Sequence, residues 1–453
     1  MHLPEALIRS LQHAKGFDEN SFVEVHLSGV QLTSIRKNPA KAVALPYPST
    51  PVPWNANGFY LNERPSFTLD PLFHAGAYYV QEASSMFVEQ ALRQTVDLSQ
   101  PIKVLDLCAA PGGKSTLIQS LLSPESLLVS NEVIKTRVNI LSENITKWGT
   151  ENVVVTNNDP ADFQRLDHYF DVIVIDAPCS GSGLFRKDPA AVEEWSLNNV
   201  ELCSQRQQRI IADVFSSLKE DGVLIYSTCS YSQEEDEVIC DWIMEQFAVL
   251  SLPFTVDQAW GIEETESDKF KAKGYRFYPG KVKGEGFFIA AFKKTKASGY
   301  SGADRKEKSA AVKVSKNETA IIAPWLKNAA DHFYIKQNEE LIAMPLHLQQ
   351  ELAALQSSLY IKKAGVRLGS VIRNELIPHH ELALSTIIND AVAGCEVELE
   401  TALQYLRKQD ITIDAAIKGW SLIKYRQLPL GWAKILPNRV NNYYPKEWRI
   451  LNK

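Results

Sequence analysis

No cysteine in this chain stands at the spacing of a metal site or a redox pair. The six of them (Cys108, Cys179, Cys203, Cys229, Cys240 and Cys395) are scattered over 453 residues without a CxxC pair or a Cys/His cluster. That excludes a disulfide framework, argues against a structural metal, and suits a reducing cytoplasm. Long apolar runs are missing too: nothing approaches the roughly 18–20 residues that a membrane span needs. The opening "MHLPEALIRSLQHAKGF" lacks the basic stretch and apolar core of a signal peptide. A cytoplasmic location with no membrane contact is expected. There are no internal repeats, and no excess of positive charge announces a nucleic-acid binder: the net charge is −6.

With 45% hydrophobic and 23% charged residues, the composition is that of an ordinary globular protein. Its length calls for two to four domains. The charge is uneven, however. From Lys293 to Lys316 there are eight Lys/Arg against two Asp/Glu, and from Arg407 to Lys453 ten against three. The second stretch is interleaved with Trp420, Tyr425, Trp432, Tyr443, Tyr444 and Trp448. Basic groups meet phosphates and aromatic faces stack on bases, so this mixture suits RNA. A solvated basic surface around an aromatic core would have the same composition.

The middle of the chain has the clearest rhythm. "KVLDL" (103–107), "LLVSNE" (127–132), "NVVVTN" (152–157), "DVIVIDA" (171–177) and "GVLIYST" (222–228) are short apolar runs separated by helix-period stretches. Strands that are apolar throughout and alternate with helices predict a mostly parallel sheet covered on both faces. "YRFYPG" and "GEGFFIAAFKK" (284–294) read as two further strands joined by a short polar turn. Residues 96–295 are therefore expected to form a doubly wound, Rossmann-like α/β domain. Residues 1–95 read as an accessory α+β region, 296–318 as a linker without hydrophobic period, and 319–453 as a C-terminal region of one small domain or two subdomains.

"VLDLCAAPGGKST" (104–116) is a strand, a small-residue turn and a helix. Ligands of open α/β sheets bind where such strands end. "CAAPGGKS" also approximates a phosphate-binding P-loop with cysteine in place of the first glycine. Two features argue against a nucleoside triphosphate. Pro111 lacks an N–H that a phosphate cradle would use, and Glu132 and Asp159, at the next two strand ends, would face a polyanion. Those acids suit a different ligand. Glu132 can accept both hydroxyls of a ribose and Asp159 the amino group of an adenine. A cofactor with adenosine, a positive sulfonium and no phosphate fits: S-adenosylmethionine. In "IDAPCSGSG" (175–183), Asp176 ends the fourth strand and Cys179 lies in the following loop, at the sheet edge where "STCS" places Cys229. Two thiols at neighbouring strand ends point to a shared substrate. Cys203 and Cys240, on helical stretches, read as core.

"LDLCAAPGGKST", "NEV" with Arg137 five residues after Glu132, "NND", "DAPCSGSG" and "STCSYSQEEDE" follow one another in the order and spacing of the Nol1/Nop2/Sun family of RNA 5-methylcytosine methyltransferases, which this chain resembles. "YYVQEASSM" (78–86) and "GEGFFIAAFKK" look like the flanking motifs of that family. The tail, with "GVRLGSVIRN", "GWSLIKYRQLPLGWAK" and "NNYYPKEWR", resembles the PUA-like region of the bacterial branch that acts on 16S ribosomal RNA.

The resemblance implies a chemistry. Cytosine C5 is too weak a nucleophile to take a methyl group directly. A cysteine that adds to C6 activates it, and loss of the C5 proton later expels the sulfur. It further implies that Cys229 is the nucleophile, that Cys179 assists release, and that Asp176 holds the cytosine edge while bordering the cofactor. Cys108, Ala109, Ala110, Pro111, Gly112, Gly113 and Lys114 would wrap the methionine part of the cofactor, Glu132 the ribose and Asp159 the adenine. Arg137 is a further cofactor candidate, with a plain surface charge as the alternative. Arg186 and Lys187, in "GLFRKDP", could grip phosphates beside a flipped or single-stranded cytidine, unless that loop is merely solvated. The expected enzyme is a monomeric rRNA (cytosine-C5-)-methyltransferase needing no metal, with small-subunit rRNA or an assembly intermediate as partner. A tRNA methyltransferase and a ribosome-assembly factor are the alternatives.

Overall fold

The computed structural model describes residues 3–296, 312–413 and 417–451. Residues 297–311, most of the expected linker, lie outside the described residues.

The five apolar runs form parallel strands β1 (Lys103–Asp106), β2 (Leu127–Asn131), β3 (Val153–Thr156), β4 (Phe170–Asp176) and β5 (Leu218–Thr228). They are joined by antiparallel strands β6 (Val249–Leu252), β7 (Glu263–Glu266), β8 (Lys273–Phe277), β9 (Phe287–Lys294) and β10 (Ile361–Ala364). The order across the sheet is β7-β8-β9-β5-β4-β1-β2-β3-β10, with β6 paired to β9. The strand order reverses between β1 and β4, where open α/β sheets leave a crevice at the carboxyl ends of their strands.

Alternation along each strand fills both faces of the sheet. Leu105, Ile173, Ile175, Leu224 and Tyr226 pack on one side with Ile210, Ile211 and Ile239. Val104, Val172, Val174 and Ile225 pack on the other with Leu117, Ile118, Leu141 and Ile145. The covering helices are α1 (Gly113–Gln119), α2 (Lys135–Trp148), α3 (Leu197–Val214) and α4 (Glu237–Gln246). Helix α3 starts at Ser196, whose side chain accepts from the Asn199 N–H, an N-cap that satisfies an otherwise unpaired donor. Helix α2 ends at Gly149 with φ 95°, a left-handed cap that favours glycine. A Cβ there would lie 2.4 Å from the Leu384 carbonyl, so the C-terminal region packs directly on this helix end.

The first residues form the expected α+β region. Helices Glu5–Leu11 and Glu19–Leu27 precede an antiparallel sheet of Thr33–Lys37, Ser49–Pro51, Gly58–Leu61 and Tyr78–Val80. Beyond residue 312 there are two sheets, one of five strands and one of four. The C-terminal region is tied to the central sheet, since β10 pairs with β3 and Phe333, Met344, Leu352 and Leu355 belong to the same apolar core as Val129 and Val154. Among the described residues, no helix is long and apolar enough to cross a membrane.

Candidate active site

The loops that follow β1, β2, β4 and β5 open onto one cavity of ≈ 640 Å³ at the carboxyl edge of the sheet. Cys108, Glu132, Asp176, Cys179 and Cys229 all line it, together with Ala110, Pro111, Lys114 and Arg137. The alternation that buries the strands thus delivers one chemistry-bearing loop after another to the same edge.

The two thiols meet. Cys179 Sγ lies 2.9 Å from Cys229 Sγ, and both residues are half-buried. The bond to Cys229, reinforced by burial, pushes the Cys179 thiol well above its usual range, so Cys179 keeps its proton. Beside them, Lys114 Nζ pairs with Asp176 Oδ2 at 2.7 Å, and Ser227 Oγ donates to Asp176 Oδ1 at 2.9 Å. Burial alone would lower Lys114, but Asp176, with help from Cys229 and Asp106, holds the ammonium above its ordinary value. Beneath the turn, burial lifts Asp106 to about 7 even though Ser115 Oγ donates to it at 2.6 Å. Burial, with the surrounding carboxylates, pushes the Cys108 thiol up.

The other end of the cavity is built around Glu132, which is 3% exposed. Its Oε1 accepts from the Ile134 N–H at 2.9 Å, and its Oε2 pairs with Arg137 Nη1 at 3.3 Å. Arg137 Nη2 also donates to the Ala110 carbonyl at 2.7 Å, so this residue clamps the small-residue turn to the acid. Gly112, with φ 115°, lets the chain enter α1 in a left-handed conformation. Asn131 donates to the Leu107 and Asn158 carbonyls and joins the loops after β1 and β3. Asp159 is not among the residues that line the cavity: it caps the following turn through the Ala161 N–H and pairs with Arg209 at 3.7 Å, while its neighbours Pro160 and Arg209 do line it. Ala109 and Gly113 border a smaller hollow continuous in sequence with this turn.

A mostly apolar cavity that carries four carboxylates (Glu82, Glu132, Asp176 and Glu285) beside four cations (Lys114, Arg137, Arg206 and Arg209) fits S-adenosylmethionine. Leu107, Val133, Ile134 and Ile210 form apolar walls of the kind an adenosine needs, Glu132 carries acceptors that would suit ribose hydroxyls, and Asp176 carries the charge opposite to a sulfonium's. A polyphosphate finds one donor fewer at the turn, since Pro111 lines the cavity without an N–H.

Two expectations change. Arg186 does not reach out toward phosphates. It is 7% exposed, its Nη2 donates to the Val30 carbonyl at 2.7 Å, its Nη1 to the Gly284 carbonyl at 3.3 Å, and it pairs with Glu285 at 3.5 Å. A guanidinium has five donors in a rigid fork, and here the N-terminal region and the turn before β9 take them inward. Lys187, the next residue, is exposed. Three of the six tail aromatics, Trp420, Trp432 and Tyr444, are buried core rather than stacking platforms, Tyr425 and Trp448 are half-buried, and Tyr443 is open to solvent. Cys203 and Cys240 are buried helix residues, as expected.

Arg206, Arg209, Glu82, Glu285 and Phe287 also line the cavity and were not singled out from the sequence. Glu82 and Glu285 lie inside the two flanking motifs, which is the signal that could have found them. Glu82 Oε1 accepts from the Glu285 N–H at 2.8 Å and joins those motifs across the cavity wall. Among the described residues, no group of three or more His, Cys, Asp or Glu is arranged to hold a metal ion.

Comparison with known proteins agrees with this arrangement. Residues 94–293 match the family described as 16S rRNA methyltransferase RsmB/F, residues 3–83 the N-terminal domain of 16S rRNA methyltransferase RsmF, and residues 394–450 the methyltransferase RsmF PUA domain. The chain is 32% identical over 430 residues to the ribosomal RNA small subunit methyltransferase F of Psychromonas ingrahamii, covering 91% of this chain and 88% of that one. It is 30% identical over 419 residues to its namesake in Escherichia coli K12, covering 88% and 84%. A methyltransferase homolog protein from Pyrococcus horikoshii superimposes with a TM-score of 0.52 at 26% identity, over 64% of this chain and 100% of that one. NSun6 from the same organism, solved with SFG, shares the fold at a TM-score of 0.54 and 20% identity, over 65% and 98%. With that similarity spanning all three regions, the chain belongs to the S-adenosylmethionine-dependent 16S rRNA methyltransferase RsmB/F family.

Proposed function

We propose that this protein methylates C5 of a cytosine in 16S ribosomal RNA through a covalent adduct between Cys229 and C6 of the base. The observation that carries the reading is the pair of thiols in contact, lining one cavity with Lys114 and Asp176.

S-adenosylmethionine supplies the methyl group when bound. Cys108, Ala110, Pro111 and Lys114 would hold its methionine part, Glu132, oriented by Ile134 and Arg137, the ribose, and the loop of Asp159 and Pro160 the adenine. Addition of Cys229 Sγ to C6 forms a carbon–sulfur bond and turns C5 into an enamine carbon that can accept a methyl group. Asp176, aimed by Lys114 and Ser227, would bind the N3–N4 edge of the base and stabilise the adduct. Loss of the C5 proton to water then returns its electron pair to the ring as the C5–C6 double bond and breaks the bond to Cys229. Cys179, which keeps its proton, lies in position to hand it to the departing sulfur. The base must leave its stack to reach the thiols, so the substrate is a flipped or single-stranded cytidine.

The exposed Tyr443 and the lysines and arginines of residues 407–453 make the PUA region the natural RNA-binding surface. Mapping 5-methylcytosine in total RNA from a deletion strain tests the substrate. Loss of a 16S mark supports the proposal, and loss of a transfer-RNA mark with 16S RNA unchanged reverses it.

A further inference from the structure

In the acidic run that follows Cys229, Glu235 is 0% exposed. Its carboxylate sits behind the two thiols and is fully occupied. Oε1 accepts from the Ser180 N–H at 2.8 Å and from Gln207 Nε2 at 3.2 Å. Oε2 accepts from Ser180 Oγ and from Ser230 Oγ, each at 2.6 Å. Ser180 directly follows Cys179, and Ser230 directly follows Cys229. Gln207, on α3, in turn donates to the Pro178 carbonyl at 3.1 Å, just before Cys179.

The neighbouring acid completes the grip on one side only. Asp236 Oδ1 accepts from Thr228 Oγ1 at 2.6 Å, and Arg276 pairs with Asp236 at 3.1 Å, which fixes the residue before Cys229 but not the Cys179 loop. Glu235 is the carboxylate that touches both loops.

We propose that Glu235 is a positioning residue that holds Cys179 and Cys229 in register through Ser180 and Ser230. This rests on the two-thiol mechanism proposed above. Backbone bonds join the two loops on either side of the thiols, from the Ala177 N–H to the Ser227 carbonyl at 2.8 Å and from the Gly183 N–H to the Cys229 carbonyl at 2.9 Å, and leave the Cys179–Ser180 stretch between them to be held by Glu235. A shift of about 1 Å in a reacting group costs on the order of 100-fold in rate. A buried carboxylate with four donors supplies that constraint, since charge-assisted bonds are short and directional.

The substitutions separate the tether from the charge. A glutamine at this position can turn its oxygen to the Ser180 N–H and Gln207. Its amide N–H groups then donate to the two serine hydroxyls, which rotate to accept. Alanine supplies none of these bonds.

In the full chain, Glu235→Ala is expected to lower kcat about 100-fold, with KM for the RNA and adenosylhomocysteine affinity by calorimetry held within about twofold. Glu235→Gln should regain at least about tenfold of that loss, and Ser230→Ala, which cuts the tie to Cys229 alone, should show a milder fall of the same kind. In a Cys179→Ala background, Glu235→Ala should slow the build-up of covalent protein–RNA complex on denaturing gels. Cofactor and RNA affinities that collapse together with kcat would make Glu235 a general fold residue and overturn the proposal. So would a Glu235→Gln as damaged as Glu235→Ala, or an unimpaired Glu235→Ala. If Cys179→Ala alone forms no complex, it is the two-thiol mechanism that fails, and the kcat comparison of the alanine and glutamine variants still decides the tether.

Discussion

Lys114 Nζ lies 2.7 Å from Asp176 Oδ2, joining the start of α1 to the end of β4 across the point where the strand order reverses. Both residues line the same cavity as the thiols, so the pair can serve cofactor and base alike. Asp176→Asn keeps the shape of the side chain while removing its charge and freeing Lys114. A hydrogen bond to a charged group is worth roughly 1.5–3 kcal/mol, so single-turnover methylation should slow by about ten- to a hundredfold. An unchanged rate would remove Asp176 from the reaction.

Glu132→Ala should weaken adenosylhomocysteine binding by a similar factor, about ten- to a hundredfold, because two ribose hydroxyls lose their acceptor. Arg137 loses its partner in the same variant, and its hold on the Ala110 carbonyl becomes the remaining brace of the turn. Calorimetry checks both points. Tight magnesium-ATP binding with no response to adenosylhomocysteine would restore the phosphate-loop alternative.

Arg186→Ala should act on stability rather than on RNA binding. The guanidinium ties the Val30 and Gly284 carbonyls together and offsets the charge of Glu285, whose carboxyl burial raises to about 7. Breaking a buried pair costs about 3 kcal/mol, visible as a fall in the thermal midpoint. The dependence of RNA affinity on salt should keep its slope; a slope shallower by about one ion would return Arg186 to the phosphates.

The parallel sheet was legible because each of its strands is a short, β-branched apolar run between helix-period stretches, and the loops at their ends carry the small and acidic residues of the site. Strand β5 begins at Leu218, ahead of "GVLIYST", because Leu218 pairs with Phe170 across a register shift in the ladder. Strand β10 was not legible: "IKKA" has no strand pattern of its own, and it is a strand because β3 offers an edge. The buried acids Glu235, Asp236 and Glu237 were not legible either. A run of carboxylates reads as solvated until the fold brings Arg276, Ser180 and Thr228 to it. Arg186 was misplaced for the mirror-image reason, since a basic loop residue reads as exposed until backbone carbonyls enclose it.

The contact between the catalytic domain and the C-terminal region should be pH-sensitive. His332 Nε2 meets Glu151 at 3.1 Å, and although burial opposes the charge, Glu151 and the Asn328 carbonyl hold the imidazole above its ordinary pKa. A raised folded pKa contributes stability that is fully present below the unfolded value of about 6.5 and is lost as pH rises through the folded one. The thermal midpoint should therefore decline across that window, and His332→Gln should flatten the decline. A midpoint with the same pH dependence in both proteins would place the sensitivity elsewhere.

The central claim is that two thiols in contact divide one reaction between them, and denaturing electrophoresis of enzyme incubated with RNA and S-adenosylmethionine tests it most directly. Cys229→Ala should abolish methyl transfer and leave no covalent protein–RNA species, because C5 never becomes nucleophilic. Cys179→Ala should transfer the methyl group but resolve slowly, so that a covalent complex accumulates and depends on both RNA and cofactor. The double variant should lose that band. A complex trapped by Cys229→Ala beside an inactive, untrapped Cys179→Ala would reverse the two roles, and full turnover by both single variants would contradict the mechanism.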